Sequence, residues 1–295
     1  MDTTDRPAAR VPAPRLPHSP AGLALACHPG PVAAVTVLVT ALAVSSGPGG
    51  GRWALVAAAV LTGQLSVGWC NDAFDARRDA AAGRPGKPVA RGAVSRGAAW
   101  SAAFTALVSC VGLSLACGAS AGTAHLAGVA AAWAYNLKLK ETVLSWLPYA
   151  VGFGSIPCLV TLSLPGSPWP AWWAVAAGAL LGVAAHLGDV LPDIEADLRA
   201  GIRGLPQRLG PARTRLLLPL PPAAATAVLV LAPPGAPGGT GAVVLTGVAL
   251  LTVVATVAHS GRRPVRTWRK AALAGTVVVA SADVTLLLAR GTEIT

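Results

Sequence analysis

The sequence predicts an all-α polytopic membrane protein with nine transmembrane helices. Three observations carry that prediction. The 295 residues are 54% hydrophobic and only 12% charged, with a mean hydropathy of +0.60, whereas soluble domains carry about 25% charged residues. Nine apolar stretches approach the ~20 residues that a helix needs to cross a bilayer. The basic residues, finally, fall in alternate gaps between those stretches. A net charge of +11 in a soluble chain would suggest nucleic-acid binding. Here the cations lie between apolar runs and form no aromatic-interleaved face. The expected surface partner is therefore the lipid bilayer, and no nucleic acid is expected.

Residues 1–22 are rich in Pro and Arg and lack an early apolar h-region. They read as a disordered cytoplasmic tail rather than a signal peptide. Residues 23–295 read as a single membrane domain. Its apolar stretches lie at roughly 24–46, 53–76, 97–117, 120–138, 143–164, 169–190, 214–232, 239–258 and 270–289. Gly47–Gly51, Pro165–Pro170 and Pro233–Gly239 punctuate the gaps. Of 23 basic residues, 21 fall in the tail and the even-numbered gaps. The positive-inside rule makes that side cytoplasmic, within the plasma membrane, with the N-terminus inside. Cys27, Cys70, Cys110, Cys117 and Cys158 form no CxxC pair and read as free buried thiols. Arg outnumbers Lys 19 to 4, with abundant Ala, Gly and Pro, as in GC-rich bacterial coding.

Six of the nine Asp residues fall in two clusters. Asn71-Asp72-Ala73-Phe74-Asp75-Ala76-Arg77-Arg78-Asp79 follows the second stretch. Asp189-Val190-Leu191-Pro192-Asp193-Ile194-Glu195-Ala196-Asp197 follows the sixth. Both lie on the predicted cytoplasmic side. Asp72, Asp75 and Asp79 are spaced i, i+3, i+7, and Asn71 and Asp75 i, i+4; Asp189, Asp193 and Asp197 are spaced i, i+4, i+8. Each set therefore shares a helical face. Stacked like charges at a membrane helix end need compensation. The bland account is that they merely solvate helix ends, but two such clusters on one side suit a divalent cation. Mg²⁺ takes one or two carboxylates and completes its shell from waters and substrate phosphates, so opposed carboxylate faces suit a Mg²⁺-bridged diphosphate.

These motifs resemble the UbiA-type intramembrane prenyltransferases. Asn71, Asp72, Asp75 and Asp79 match that family's NDxxDxxxD motif; Asp189, Asp193 and Asp197 match its second Asp motif. Arg84-Pro85-Gly86-Lys87-Pro88 with Arg91, Tyr135-Asn136-Leu137-Lys138-Leu139-Lys140, Phe153-Gly154-Ser155-Ile156-Pro157 and Gly201-Ile202-Arg203-Gly204-Leu205-Pro206 resemble further family segments. The resemblance covers roughly residues 24–290. It implies nine helices bundled around a central cavity. It also implies Mg²⁺ held by Asn71, Asp72, Asp75, Asp79, Asp189, Asp193 and Asp197, with Asp72, Asp75, Asp189 and Asp193 catalytic. Asn71, Arg84, Lys87, Arg91, Tyr135, Asn136, Arg203 and either Lys138 or Lys140 would bind substrate. The implied reaction ionises a prenyl diphosphate and transfers the allylic group to an acceptor, aromatic or quinone-precursor in kind. A terpene cyclase that uses the diphosphate alone is the alternative within the same family. A cation-coupled transporter is the alternative outside it, but transporter sites lie near the midplane. His186 reads as a satisfied buried histidine, and Asp283, inside the last stretch, as a hydrogen-bond partner to another helix.

Overall fold

The computed structural model describes residues 19–47, 51–83, 86–235, 239–260 and 266–295, without the side chains of 240, 242, 255–260 and 266–273. Residues 1–18 of the expected 1–22 tail, and Arg84, lie outside the described residues; residues 20–22 open a helix capped by Ser19 instead of continuing the tail. The described chain is helical, with no strand. In chain order the helices are α1 (Pro20–Ala26), α2 (Pro29–Ser45), α3 (Arg52–Ala81), α4 (Arg96–Ala116), α5 (Ala119–Leu137), α6 (Leu147–Leu162), α7 (Trp172–Val190), α8 (Ile194–Arg199), α9 (Leu205–Leu217), α10 (Leu220–Leu231), α11 (Gly239–Ser260) and α12 (Arg266–Ala289).

Each of the nine apolar stretches overlaps one of these helices or a bent pair, but length and apolarity alone qualify fewer spans. Among the described residues three helices are long and apolar enough to cross a membrane: Arg52–Ala81, Arg96–Ala116 and Trp172–Arg199. Two further spans arise if each bent pair counts as one, Pro20–Ala26 with Pro29–Ser45 (63°) and Leu205–Leu217 with Leu220–Leu231 (48°). The bends have local causes. His28 takes a left-handed φ of 61° ahead of Pro29, and α9 gives way to α10 at Leu218–Pro219, where Pro219 caps α10 and Pro221 follows in its first turn. Helix α9 is itself kinked at Gly210 (φ 78°, ψ 165°) ahead of Pro211.

Close packing of small residues sets the helix neighbours. A Cβ at Gly178 would lie 2.7 Å from the Phe153 carbonyl oxygen, and one at Gly182 would overlap the Tyr149 carbonyl. This small-xxx-small pair lets α7 meet the backbone of α6, as membrane helices do where apolar lipid supplies no hydrophobic drive. The main core joins α2, α3, α6, α7, α10 and α12 through Leu42, Val56, Leu159, Ala177, Leu229 and Leu287. Asp283 of α12 is fully buried and accepts a 2.5 Å hydrogen bond from Thr226 Oγ1 of α10, the interhelical partner expected of it. The five cysteines are free, and all but Cys158 are buried.

Candidate active site

The C-terminal ends of α3, α5 and α7 converge on a cavity of about 580 Å³, together with the N-terminal end of α6. Its deeper wall is apolar: Val35, Val39, Val60, Val129, Ile156 and Leu159. Its mouth carries Asn71, Asp75, Lys87, Asn136, Lys140, Asp189, Asp193, Asp197 and Gln207. The two acidic clusters, 110 or more residues apart in sequence, therefore meet at one opening.

The first cluster is held rigidly. Asn136 Nδ2 donates to the Val67 carbonyl at 2.9 Å and its Oδ1 accepts from Asn71 Nδ2 at 3.1 Å, tying α5 to α3. Asn71 Oδ1 accepts from Lys87 Nζ at 3.0 Å. Asp75 is 9% exposed. It is ion-paired to Lys140, and Arg78 Nη1 lies 3.1 Å from its other oxygen. Arg78 also reaches Glu141 at 2.6 Å. Burial pushes the Lys140 ammonium below its ordinary pKa, against the opposing pull of the Asp75 carboxylate.

Asp72 and Asp79 are buried, at 1% and 3% exposure, and neither lines the cavity. The common face read from 72, 75 and 79 is thus narrower in the fold: Asn71 and Asp75, one turn apart, point into the opening. Asp72 lies about 100° around the helix from Asn71 and faces the 86–95 loop. There its Oδ1 is 3.1 Å from Lys87 Nζ and 3.6 Å from His28 Nε2, and its Oδ2 accepts from the Val89 amide at 3.3 Å. Asp72 positions Lys87.

The second cluster is more open. Asp189 and Asp193 are exposed and Asp197 is buried. Asp189 lies near the end of α7, and a 3₁₀ turn at Leu191–Asp193, with Pro192 in it, links α7 to α8 and brings Asp193 and Asp197 to the same cavity. Tyr149 Oη donates to Asp189 Oδ2 at 2.8 Å, and Gln207 Nε2 donates to Asp197 Oδ2 at 2.9 Å. Tyr135 lines the cavity, edge-on to Tyr149 at 5.2 Å between centroids.

Of the two candidate lysines, Lys140 is buried at the mouth, while Lys138 is 76% exposed and pairs with Glu141 at 3.1 Å. Helix α5 ends at Leu137 and a 3₁₀ turn at Leu139–Glu141 turns Lys140 inward. Arg91 and Arg203 are exposed and do not line the cavity. The 201–206 segment acts through its backbone instead: Gly204 packs against the Lys140 carbonyl, and the Leu205 amide donates to Ser145 Oγ at 2.9 Å. His186 is buried behind the cavity, its Nε2 3.0 Å from Ser145 Oγ. His28, Tyr149 and Gln207 are mouth residues that motif spacing does not reveal. Tyr149 alone had a signal, since the chain's two tyrosines flank the Lys138–Lys140 turn.

Four carboxylates against two ammonium groups leave the described mouth net negative. That balance suits a divalent cation, and the lysines suit phosphate oxygens. Among the described residues no three His, Cys, Asp or Glu side chains converge into a ready-made cage. Such a set fits Mg²⁺, which takes one or two carboxylates and leaves several positions to substrate phosphates and water.

Fold and site together define an apolar helical membrane protein with an acid-lined chamber. The UbiA prenyltransferase family matches residues 32–278, and the chain belongs to that family. Among curated proteins, none matches the chain by sequence. Solved structures share its fold. A digeranylgeranylglyceryl phosphate synthase has a TM-score of 0.68 at 13% identity, covering 92% of this chain and 98% of its own. A UbiA homologue from Archaeoglobus fulgidus bound to GPP and Mg²⁺ scores 0.67 at 16% identity, covering 92% and 100%. An apo UbiA homologue from Aeropyrum pernix K1 scores 0.63 at 20% identity, covering 85% and 97%.

Proposed function

We propose that this chain is a Mg²⁺-dependent intramembrane prenyltransferase that moves a prenyl group from its diphosphate to an aromatic or quinone-precursor acceptor. The observation that carries the reading is the shared opening of Asn71, Asp75, Asp189, Asp193 and Asp197 above an apolar chamber. Those residues would hold Mg²⁺, and its charge would help the diphosphate leave. Lys87 and Lys140 contact the phosphate oxygens as point charges. The apolar wall receives the hydrocarbon and keeps water from the allylic cation, while the Tyr135 ring offers its negative π face. The relatives that hold GPP or DMAPP with Mg²⁺ support the same assignment.

The domain spans 23–295 with nine membrane crossings in a plasma membrane, the N-terminus and both Asp motifs cytoplasmic; the 21-of-23 distribution of basic residues supports this. Labelling of an engineered cysteine in the 86–95 loop from the cytoplasmic face, and not from outside, is the expected topology result. The activity test uses purified protein with GPP and a panel of phenolic acceptors. EDTA is expected to abolish binding and turnover, and Mg²⁺ to restore both. Turnover indifferent to metal would overturn the assignment. A cyclic hydrocarbon formed from GPP without any acceptor would replace transfer with cyclisation.

A further inference from the structure

The chamber's apolar wall is interrupted at one depth. His125 of α5, Gln64 of α3 and Ser155 of α6 line it there. His125 is 7% exposed. Its Nδ1 lies 2.8 Å from Ser114 Oγ, and Ser114, itself fully buried, contacts Cys110 Sγ at 3.6 Å. This anchoring fixes the ring and leaves Nε2 with no protein hydrogen bond among the described residues. The Gln64 amide likewise has none. Ser155 is packed against α5, since a Cβ at Gly128 would lie 2.6 Å from its Oγ, and its hydroxyl donates to the Gly152 carbonyl at 2.8 Å; its oxygen still accepts.

The depth follows from helix geometry. His125 packs beside Gly63, where a Cβ would lie 3.3 Å from its Cε1. Gly63 is eight residues before Asn71 on α3, so the polar group lies about 12 Å below the acidic mouth. A prenyl chain beyond its diphosphate is hydrocarbon. It offers nothing to an imidazole nitrogen and a carboxamide, and buried polar groups left without partners are costly.

We propose that Gln64, His125 and Ser155 form a second recognition point, which takes a hydroxyl or carbonyl oxygen on the acceptor substrate. The inference rests on the prenyltransferase reading and deepens it. The chamber holds two molecules: a hydrocarbon donor anchored at the mouth and an oxygen-bearing acceptor anchored at mid-depth. A site built to hydrogen-bond a substrate oxygen discriminates strongly against the analogue that lacks it.

The test uses the full chain in nanodiscs with two probes that differ by one hydroxyl, 4-butylphenol and butylbenzene. Equilibrium binding of each is corrected for partitioning into empty nanodiscs. The wild-type protein is expected to bind the phenol at least tenfold more tightly. His125→Leu and, separately, Gln64→Leu are expected to reduce that preference to about threefold or less, and His125→Gln to restore part of it. Gln64 is half-buried with no protein hydrogen bond among the described residues, so its variant keeps the test sound where loss of the Ser114 contact disturbs folding. Equal binding of the two probes by the wild-type chain would overturn the proposal and leave these groups to water. So would a preference that survives in both leucine variants. Mg²⁺-dependent GPP binding by the wild-type protein, measured in parallel, reports separately on the underlying reading.

Discussion

Asp75 and Asp189 line the same opening under opposite conditions. Asp75 is buried and ion-paired to Lys140 and Arg78. Asp189 is exposed, and its partner is the neutral hydroxyl of Tyr149. The first cluster is therefore also part of the fold's internal electrostatics: its carboxylates hold Lys87, Lys140 and, through Asp72, the 86–95 loop. In the second cluster Asp189 and Asp193 are exposed, whereas Asp197 is buried and accepts from Gln207. On the proposed reading the two clusters would divide the work, the first supplying cations for phosphate and Asp189 with Asp193 supplying solvent-facing carboxylate for the metal.

The largest expected effect separates the two. Asp75→Ala leaves the Lys140 ammonium buried without its partner. It should cost about 3–5 kcal/mol of stability and abolish turnover, as thermal unfolding and product formation would show. Asp189→Asn with Asp193→Asn should lower turnover roughly 10²–10³-fold while stability stays within about 0.5 kcal/mol. Equal destabilisation by both sets would erase the distinction.

The lysines sharpen the comparison next. Lys140→Met should weaken GPP binding by at least roughly tenfold, because it removes a charge from the phosphate site. Lys138→Met removes an exposed pair worth about 0–1 kcal/mol and should leave GPP affinity within about twofold. A smaller effect is expected of Tyr149→Phe. Loss of its hydrogen bond to the Asp189 carboxylate should lower turnover about tenfold, near 1.5 kcal/mol, with Mg²⁺ affinity the direct readout. Smallest are Arg91→Ala and Arg203→Ala, expected to change the Michaelis constant for GPP by roughly twofold or less, since both side chains face solvent.

Much of this was legible before the fold was known. Hydropathy located the helices, because apolar length is dictated by the bilayer. The paired Asp motifs located the mouth, because Asn71 and Asp75 share a face of α3 and the turn between α7 and α8 keeps Asp189, Asp193 and Asp197 at the same opening. Other features depended on where a helix stops. Lys138 and Lys140 are two residues apart, and only the end of α5 at Leu137 and the following 3₁₀ turn decide that Lys140 enters. Asp72 reads as equivalent to Asp75 by spacing, yet a rotation of one residue gives it to the loop. Arg203 reads as a phosphate ligand by motif, whereas the fold uses the neighbouring glycine and amide. His125 and Gln64 are isolated polar residues inside apolar stretches. Periodicity does not say which neighbour each faces; that depends on the packing of α3, α5 and α6. The nine-crossing count also exceeds what length and apolarity support: the bends at His28 and at Leu218–Pro219 split two of the stretches, and α6 runs only from Leu147 to Leu162.

The central claim is that the second cluster completes a metal-dependent diphosphate site over an already neutralised first cluster. Its most direct test is calorimetric titration of GPP with and without Mg²⁺ into the wild-type chain and into the Asp189→Asn/Asp193→Asn variant, with thermal unfolding of each. The account predicts Mg²⁺-dependent binding by the wild-type chain, and its loss in a variant that unfolds at the same temperature. Mg²⁺-dependent binding of unchanged affinity in the folded variant would contradict it.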